Sequence, residues 1–130
     1  MQNFDKNHSE LLKKYIYFSS MHDSIIHDTR YEFDKKTLHI KLINSTCNIK
    51  YHLLFEGVTI FWFTKGGELG REDAVLSFSI EDDYSPMLNW NIIKDLDVNE
   101  MLYLMFQMFC GSELHVLCKN VNIHSEAEQS

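Results

Sequence analysis

Apolar residues recur along this chain in two rhythms. Leu11, Leu12, Tyr15, Ile16 and Phe18 fall at helical spacing while Lys13 and Lys14 take the wet side, which predicts a helix running from a Ser9 cap to Ser20. Its capping box is half present, because position 12 holds Leu where Glu or Gln would reach back to the cap. After His22 the period becomes two. Ile25, Tyr31 and Phe33, then Leu38, Ile40 and Leu42 against Lys36, His39 and Lys41, predict two strands joined around Asp34-Lys35-Lys36.

Ile49, Tyr51, Leu53 and Phe55 alternate with Lys50 and His52, and residues 58–63 form a β-branched and aromatic run bounded by Gly66-Gly67. Glu56-Gly57 between them marks a turn or a bulge. A further strand is expected over 74–80, followed by an acidic loop over 81–86. Residues 90–100 are ambiguous, since Ile92, Ile93 and Leu96 could make one helical turn and Asp97 or Asn99 could cap a later helix, and 101–110 are too apolar for periodicity to choose between a helix and a buried strand. Gly111-Ser112 as a type II′ turn favours the strand, as does the alternation of Leu114, Val116 and Cys118 with Glu113, His115 and Lys119. A two-residue loop there would pair Cys110 with Glu113 and Met105 with Cys118, putting Cys110 and Cys118 beyond disulfide reach.

Short strands joined by tight turns predict a mainly β fold: a curled antiparallel sheet, a small sandwich or half barrel, with the N-terminal helix on one face or edge. An α+β arrangement is the alternative. At 130 residues and 45% apolar, the chain is expected to form a single domain over 1–130, with polar, aperiodic tails at 1–7 and 126–130. The longest apolar run, 58–63, is strand length, so no membrane span is expected. No basic region followed by an apolar run opens the chain, so no secretory signal is expected either. Cys47, Cys110 and Cys118 are odd in number and form no C-x-x-C, which predicts buried free thiols in a reducing, cytoplasmic setting. The oligomeric state is not legible.

Charge sharpens the picture. Residues 66–100 hold nine acids against Arg71 and Lys94, a local net of 2 − 9 = −7, while the remaining 10 bases balance the remaining 10 acids. A field concentrated in this way repels nucleic acid and attracts basic protein surfaces. Tyr84, Met87 and Trp90 lie among the acids, and aromatics rimmed by charge are what protein interfaces favour. The predicted partner-binding residues are therefore Glu81, Asp82, Asp83, Tyr84 and Trp90 at the centre, with Glu68, Glu72, Asp73, Asp95 and Asp97 around them.

Catalytic signals are weaker. The loop Gly66-Gly67-Glu68-Leu69-Gly70-Arg71 lacks the Lys-Ser/Thr ending of a phosphate cradle and reads as a turn. His22 and His27 point to opposite faces of a strand and have no further ligand at metal spacing, so no metal is expected. No G-x-S-x-G occurs, and Asp23 and Ser24 read as turn chemistry at the helix exit. His39, Lys41 and His52, on neighbouring strands, could act as general acid and base in a small histidine-dependent nuclease or hydrolase, but a nuclease gathers basic residues and this chain does the reverse. No catalytic residue and no cofactor are expected.

His22-Asp23-Ser24-x-Ile26, Phe55-x-Gly57-Val58, Gly111-x-Glu113-Leu114-His115-Val116 and Val121-x-Ile123 together resemble small, mostly β bacterial immunity proteins of polymorphic toxin systems, including contact-dependent growth inhibition. The resemblance implies a non-catalytic cytoplasmic antidote that covers one cognate toxin domain, frequently a nuclease whose basic cleft an acidic partner can mimic. The competing readings are the histidine hydrolase and an adaptor module for an unrelated basic protein.

Overall fold

Alternation commits each strand to one buried face, and in the computed structural model, which describes residues 2–64, 75–81, 100–108 and 111–127, those faces meet. The elements are β1 (Gln2–Asp5), a 3₁₀ turn (Lys6–His8), α1 (Ser9–Phe18), β2 (Ile25–Glu32), β3 (Thr37–Asn44), β4 (Ile49–Glu56), β5 (Ile60–Thr64), β6 (Val75–Ile80), β7 (Leu102–Met108), β8 (Glu113–Cys118) and β9 (Asn120–Ala127). They form two antiparallel sheets, a five-stranded one in the order β1-β9-β4-β3-β2 and a four-stranded one in the order β5-β8-β7-β6. The mainly β expectation with an N-terminal helix holds, and the sheets pack as a sandwich and close no barrel.

The inner face of the five-stranded sheet presents Leu38, Ile40, Leu42, Tyr51, Leu53, Phe55, Val121 and Ile123; the other sheet answers with Phe78, Leu104, Phe106, Met108, Leu114 and Val116. Phe106 sits at the seam, edge-on to Phe55 with ring centroids 6.3 Å apart and stacked on Phe78 at 4.1 Å. The chain crosses one end of the sandwich through Met21, fully buried, and Ser24, whose hydroxyl donates to the Ser20 carbonyl at 2.9 Å. Buried Asn44 holds this crossing. Its amide donates to the Ser20 carbonyl at 2.8 Å, and its Oδ1 accepts the Thr46 and Cys47 amides at 3.0 and 3.1 Å.

Several local expectations change. Ser9 is the first residue of α1 and not its cap, a place taken by His8 without a side-chain bond; Asp5, which ends β1, caps the preceding 3₁₀ turn by accepting the His8 amide at 3.1 Å. The segment expected as an N-terminal tail is strand β1, paired with β9 over Gln2–Asp5 because Phe4 has a core position to fill. At the other end Glu126 and Ala127 remain in β9, opposite Lys50 and Ile49. The β7–β8 hairpin is wider than two residues: Gln107 pairs with Glu113 and Leu102 with Cys118, so the expected register of Met105 with Cys118 is replaced by Met105 with His115. The Met108 amide donates to the Ser112 carbonyl and the Gly111 amide to the Met108 carbonyl, closing that wider turn. Cys118 is a buried free thiol, pushed up in pKa by burial, but Cys47 is exposed; Cys110 lies outside the described residues.

Gly57 links β4 to β5 at φ +61, where a Cβ would stand 2.7 Å from Lys119 Cγ. Two substitutions test this frame by denaturant unfolding. Phe106→Ala should cost about 3–5 kcal/mol, the usual toll of deleting a buried aromatic ring. Gly57→Ala should cost only about 1–2 kcal/mol, because the Lys119 chain can swing aside and the left-handed backbone conformation carries the remaining penalty. A Phe106→Ala loss below that of Gly57→Ala would contradict the seam described above.

Candidate functional site

Of the ten residues expected to bind a partner, Glu68, Glu72, Asp73, Asp82, Asp83, Tyr84, Trp90, Asp95 and Asp97 lie outside the described residues. Glu81 lies within them. It follows β6, its amide donates to the Tyr103 carbonyl at 2.7 Å, and its carboxylate accepts the Ser79 hydroxyl at 2.9 Å. The described residues that flank the acidic segment are informative. Thr64, opposite Glu113, and Val75, opposite Met108, stand at one end of the four-stranded sheet; Glu81 and Glu100 stand at the other, beyond Ile80 and Leu102. A strand the length of β6 separates those ends, about 17–20 Å.

The outer face of the five-stranded sheet gathers a second set of polar groups. In one cross-strand row Asp28 faces Lys41, Lys41 faces His52, and His52 faces His124; in the next, Arg30 faces His39, His39 faces Leu54, and Leu54 faces Asn122. The His52 and His124 rings lie 6.1 Å apart between centroids. Glu126 holds both, with Oε1 at 3.2 Å from His52 Nε2 and Oε2 at 4.0 Å from His124 Nε2. Glu32 does the same on the opposite side, 3.0 Å from His39 Nε2 and 3.3 Å from the Arg30 guanidinium. The hydrogen bond from His52 holds the Glu126 carboxyl below its ordinary value against the opposing effect of burial, with His124 and Lys50 adding to it. Burial would raise Glu32, but Lys35, Arg30 and His39 outweigh it and leave that carboxyl lowered.

The expected trio of His39, Lys41 and His52 is thus brought onto one face. His124 and Arg30 join it, although the sequence reading passed over both. The signal was present in Val121-x-Ile123, since two core residues two apart put Asn122 and His124 on the opposite side. The backbone amides of β3 and β4 are spent in ladders on both sides, so these two central strands offer no pair of main-chain donors to hold an oxyanion. Among the described residues no group of three His, Cys, Asp or Glu side chains is arranged to hold a metal ion.

Two other features stand out. Tyr31 of β2 packs on Phe61 of β5 at 4.9 Å, and beside them Phe33 and Phe63 are 82% and 48% exposed, leaving an aromatic mouth between the edge strands of the two sheets. On the outer face of the four-stranded sheet His115 is buried, stacked on Trp62 at 4.3 Å and linked from Nδ1 to Tyr103 Oη at 2.6 Å and from Nε2 to Glu113 at 3.2 Å. Tyr103 donating to Nδ1 and Nε2–H donating to the carboxylate satisfies the whole chain, so this network reads as a saturated polar core.

No protein-family model matches the chain, and no curated protein matches its sequence. The Glu126 environment makes a direct prediction. Followed by NMR, its carboxyl should titrate below the ordinary glutamate range, and His52→Ala should move it upward. Because the folded value is depressed, the pair's small contribution to stability is present at neutral pH and fades as the pH falls through the carboxyl range. A Glu126 titration unmoved by His52→Ala would refute the pairing.

Proposed function

We propose that the protein is a non-catalytic immunity protein that binds and occludes a cognate bacterial toxin domain with a basic surface, a nuclease by its charge complementarity. The observation that carries this reading is the confinement of the whole net charge of −7 to residues 66–100 of an otherwise neutral chain. Such a field speeds encounter with a cationic partner by about 10 to 10³ and makes that rate salt-dependent, while aromatic anchors set how long the complex lasts. The contact is assigned to Glu81, Asp82, Asp83, Tyr84 and Trp90 at its centre, with Glu68, Glu72, Asp73, Asp95 and Asp97 at the rim. The exposed Phe33 and Phe63 support a protein-binding role, because aromatic side chains of this kind serve as interface anchors.

The test is a kinetic one, using a toxin domain identified from the neighbouring gene and shown to co-purify with this chain. Replacing Glu81, Asp82 and Asp83 by Lys should slow association about tenfold or more at low salt and flatten its dependence on ionic strength, with a smaller effect on dissociation. The unmodified protein should show no turnover of RNA, DNA or simple esters. An association rate and salt slope indifferent to the triple substitution, or hydrolysis abolished by His52→Ala, would overturn the proposal.

A further inference from the structure

The outer face of the five-stranded sheet contains a hollow of about 410 Å³ whose lining includes Arg30, His39, Lys41, Leu54, His52 and His124. Its position in the fold gives it a particular chemistry. Side chains at alternate positions of β2, β3, β4 and β9 converge on it, and the main-chain groups between them are already paired, so a ligand here is recognised by side chains alone. Glu32 and Glu126 do not line the hollow. They stand at its edges, where each holds an imidazole, while Arg30 and Lys41 line it against the single acid Asp28. No ion pair engages Lys41 among the described residues.

From this arrangement we infer that the face is a binding site for a nucleoside monophosphate. The phosphate lies over the row of Lys41, His52 and His124, where an ammonium and two carboxylate-oriented imidazoles offer charge-assisted hydrogen bonds across three adjacent strands. The base lies over Leu54, the apolar floor, against the flat ring of the neighbouring His39, with the Arg30 guanidinium one strand further along the same row; both groups stack on nucleobases. Ile40 and Leu53 turn their side chains into the core and leave Leu54 as that floor. The volume is in the range of small-ligand sites. A mononucleotide and a nucleic-acid polymer meet different fields: the small ligand feels charge within about 8 Å at physiological salt, whereas a longer polyanion is also repelled by the net charge of −7 that the chain carries. This site makes no use of a toxin and stands independently of the immunity reading.

The experiment titrates the full chain with AMP, inorganic phosphate and adenosine separately, following imidazole and backbone signals by NMR. AMP should shift the signals of His39, His52 and His124 with an affinity in about the millimolar range or tighter, and phosphate and adenosine should each bind more weakly. Lys41→Gln and, separately, His124→Gln should weaken AMP about tenfold or more with the unfolding midpoint unchanged, since both side chains project from the outer face. Signals unmoved by AMP at roughly 10 mM would overturn the site. So would an AMP affinity untouched by both substitutions. Inorganic phosphate or adenosine binding as tightly as AMP would overturn the nucleotide assignment.

Discussion

The interleaving of the two inner faces is the constraint from which the remaining features follow. Every strand of both sheets except the edges carries apolar residues at alternate positions, and neither sheet can bury that face without the other. Phe106 shows how tightly the arrangement is fixed, with its edge set against Phe55 of the facing sheet and its flat side against Phe78 of its own. A one-residue slip of β7 would turn Leu104 and Phe106 outward and Tyr103 and Met105 inward, breaking both ring contacts and the Tyr103–His115 bond at once. With the inner faces committed, each outer face is free to specialise. One becomes the polar surface of His39, Lys41, His52 and His124, and the other carries a second apolar cluster of Met101, Tyr103 and Leu117.

That second cluster explains what the sequence conceals. β3 and β4 are legible because Leu38, Ile40 and Leu42, then Tyr51, Leu53 and Phe55, alternate with residues that face solvent. In β7 and β8 both faces are covered near Leu102–Leu104 and His115–Leu117, so alternation disappears and the run reads as uniformly apolar. β1 was missed for the opposite reason, since one buried side chain, Phe4, is too little to establish a period. The β7–β8 loop misled through its Gly-Ser pair, which suits a tight turn, although tertiary pairing sets the register of Gln107 with Glu113. The candidate site divides similarly: three of the polar-face residues were visible as outward positions of two strands, but their adjacency to His124 depends on β4 pairing with a strand some seventy residues further along the chain.

The charge distribution of the chain has two scales. At long range the acidic segment dominates, and its flanking residues at opposite ends of the four-stranded sheet, about 17–20 Å apart, exceed a Debye length at physiological salt. At short range the polar sheet face is governed by its own groups, where Glu126 is shared by two imidazoles and Glu32 by an imidazole and a guanidinium. The proposed attraction for a cationic protein surface and the proposed affinity for a single phosphate thus rest on different ranges of the same charge distribution.

The sandwich is also asymmetric at its sides. At the side formed by β1 and β6, helix α1 packs across the opening, with Leu12 fully buried and Tyr15 against Phe4 at 5.7 Å. At the side formed by β2 and β5 the corresponding closure consists of Tyr31 against Phe61, and the adjoining Phe33 and Phe63 remain exposed. Exposing aromatic rings beside an edge strand is a liability that folds ordinarily suppress with charge or cover. A protein surface seated across β2 and β5 would bury those rings and leave the polar sheet face free, so a macromolecular partner and a small ligand need not compete for the same surface.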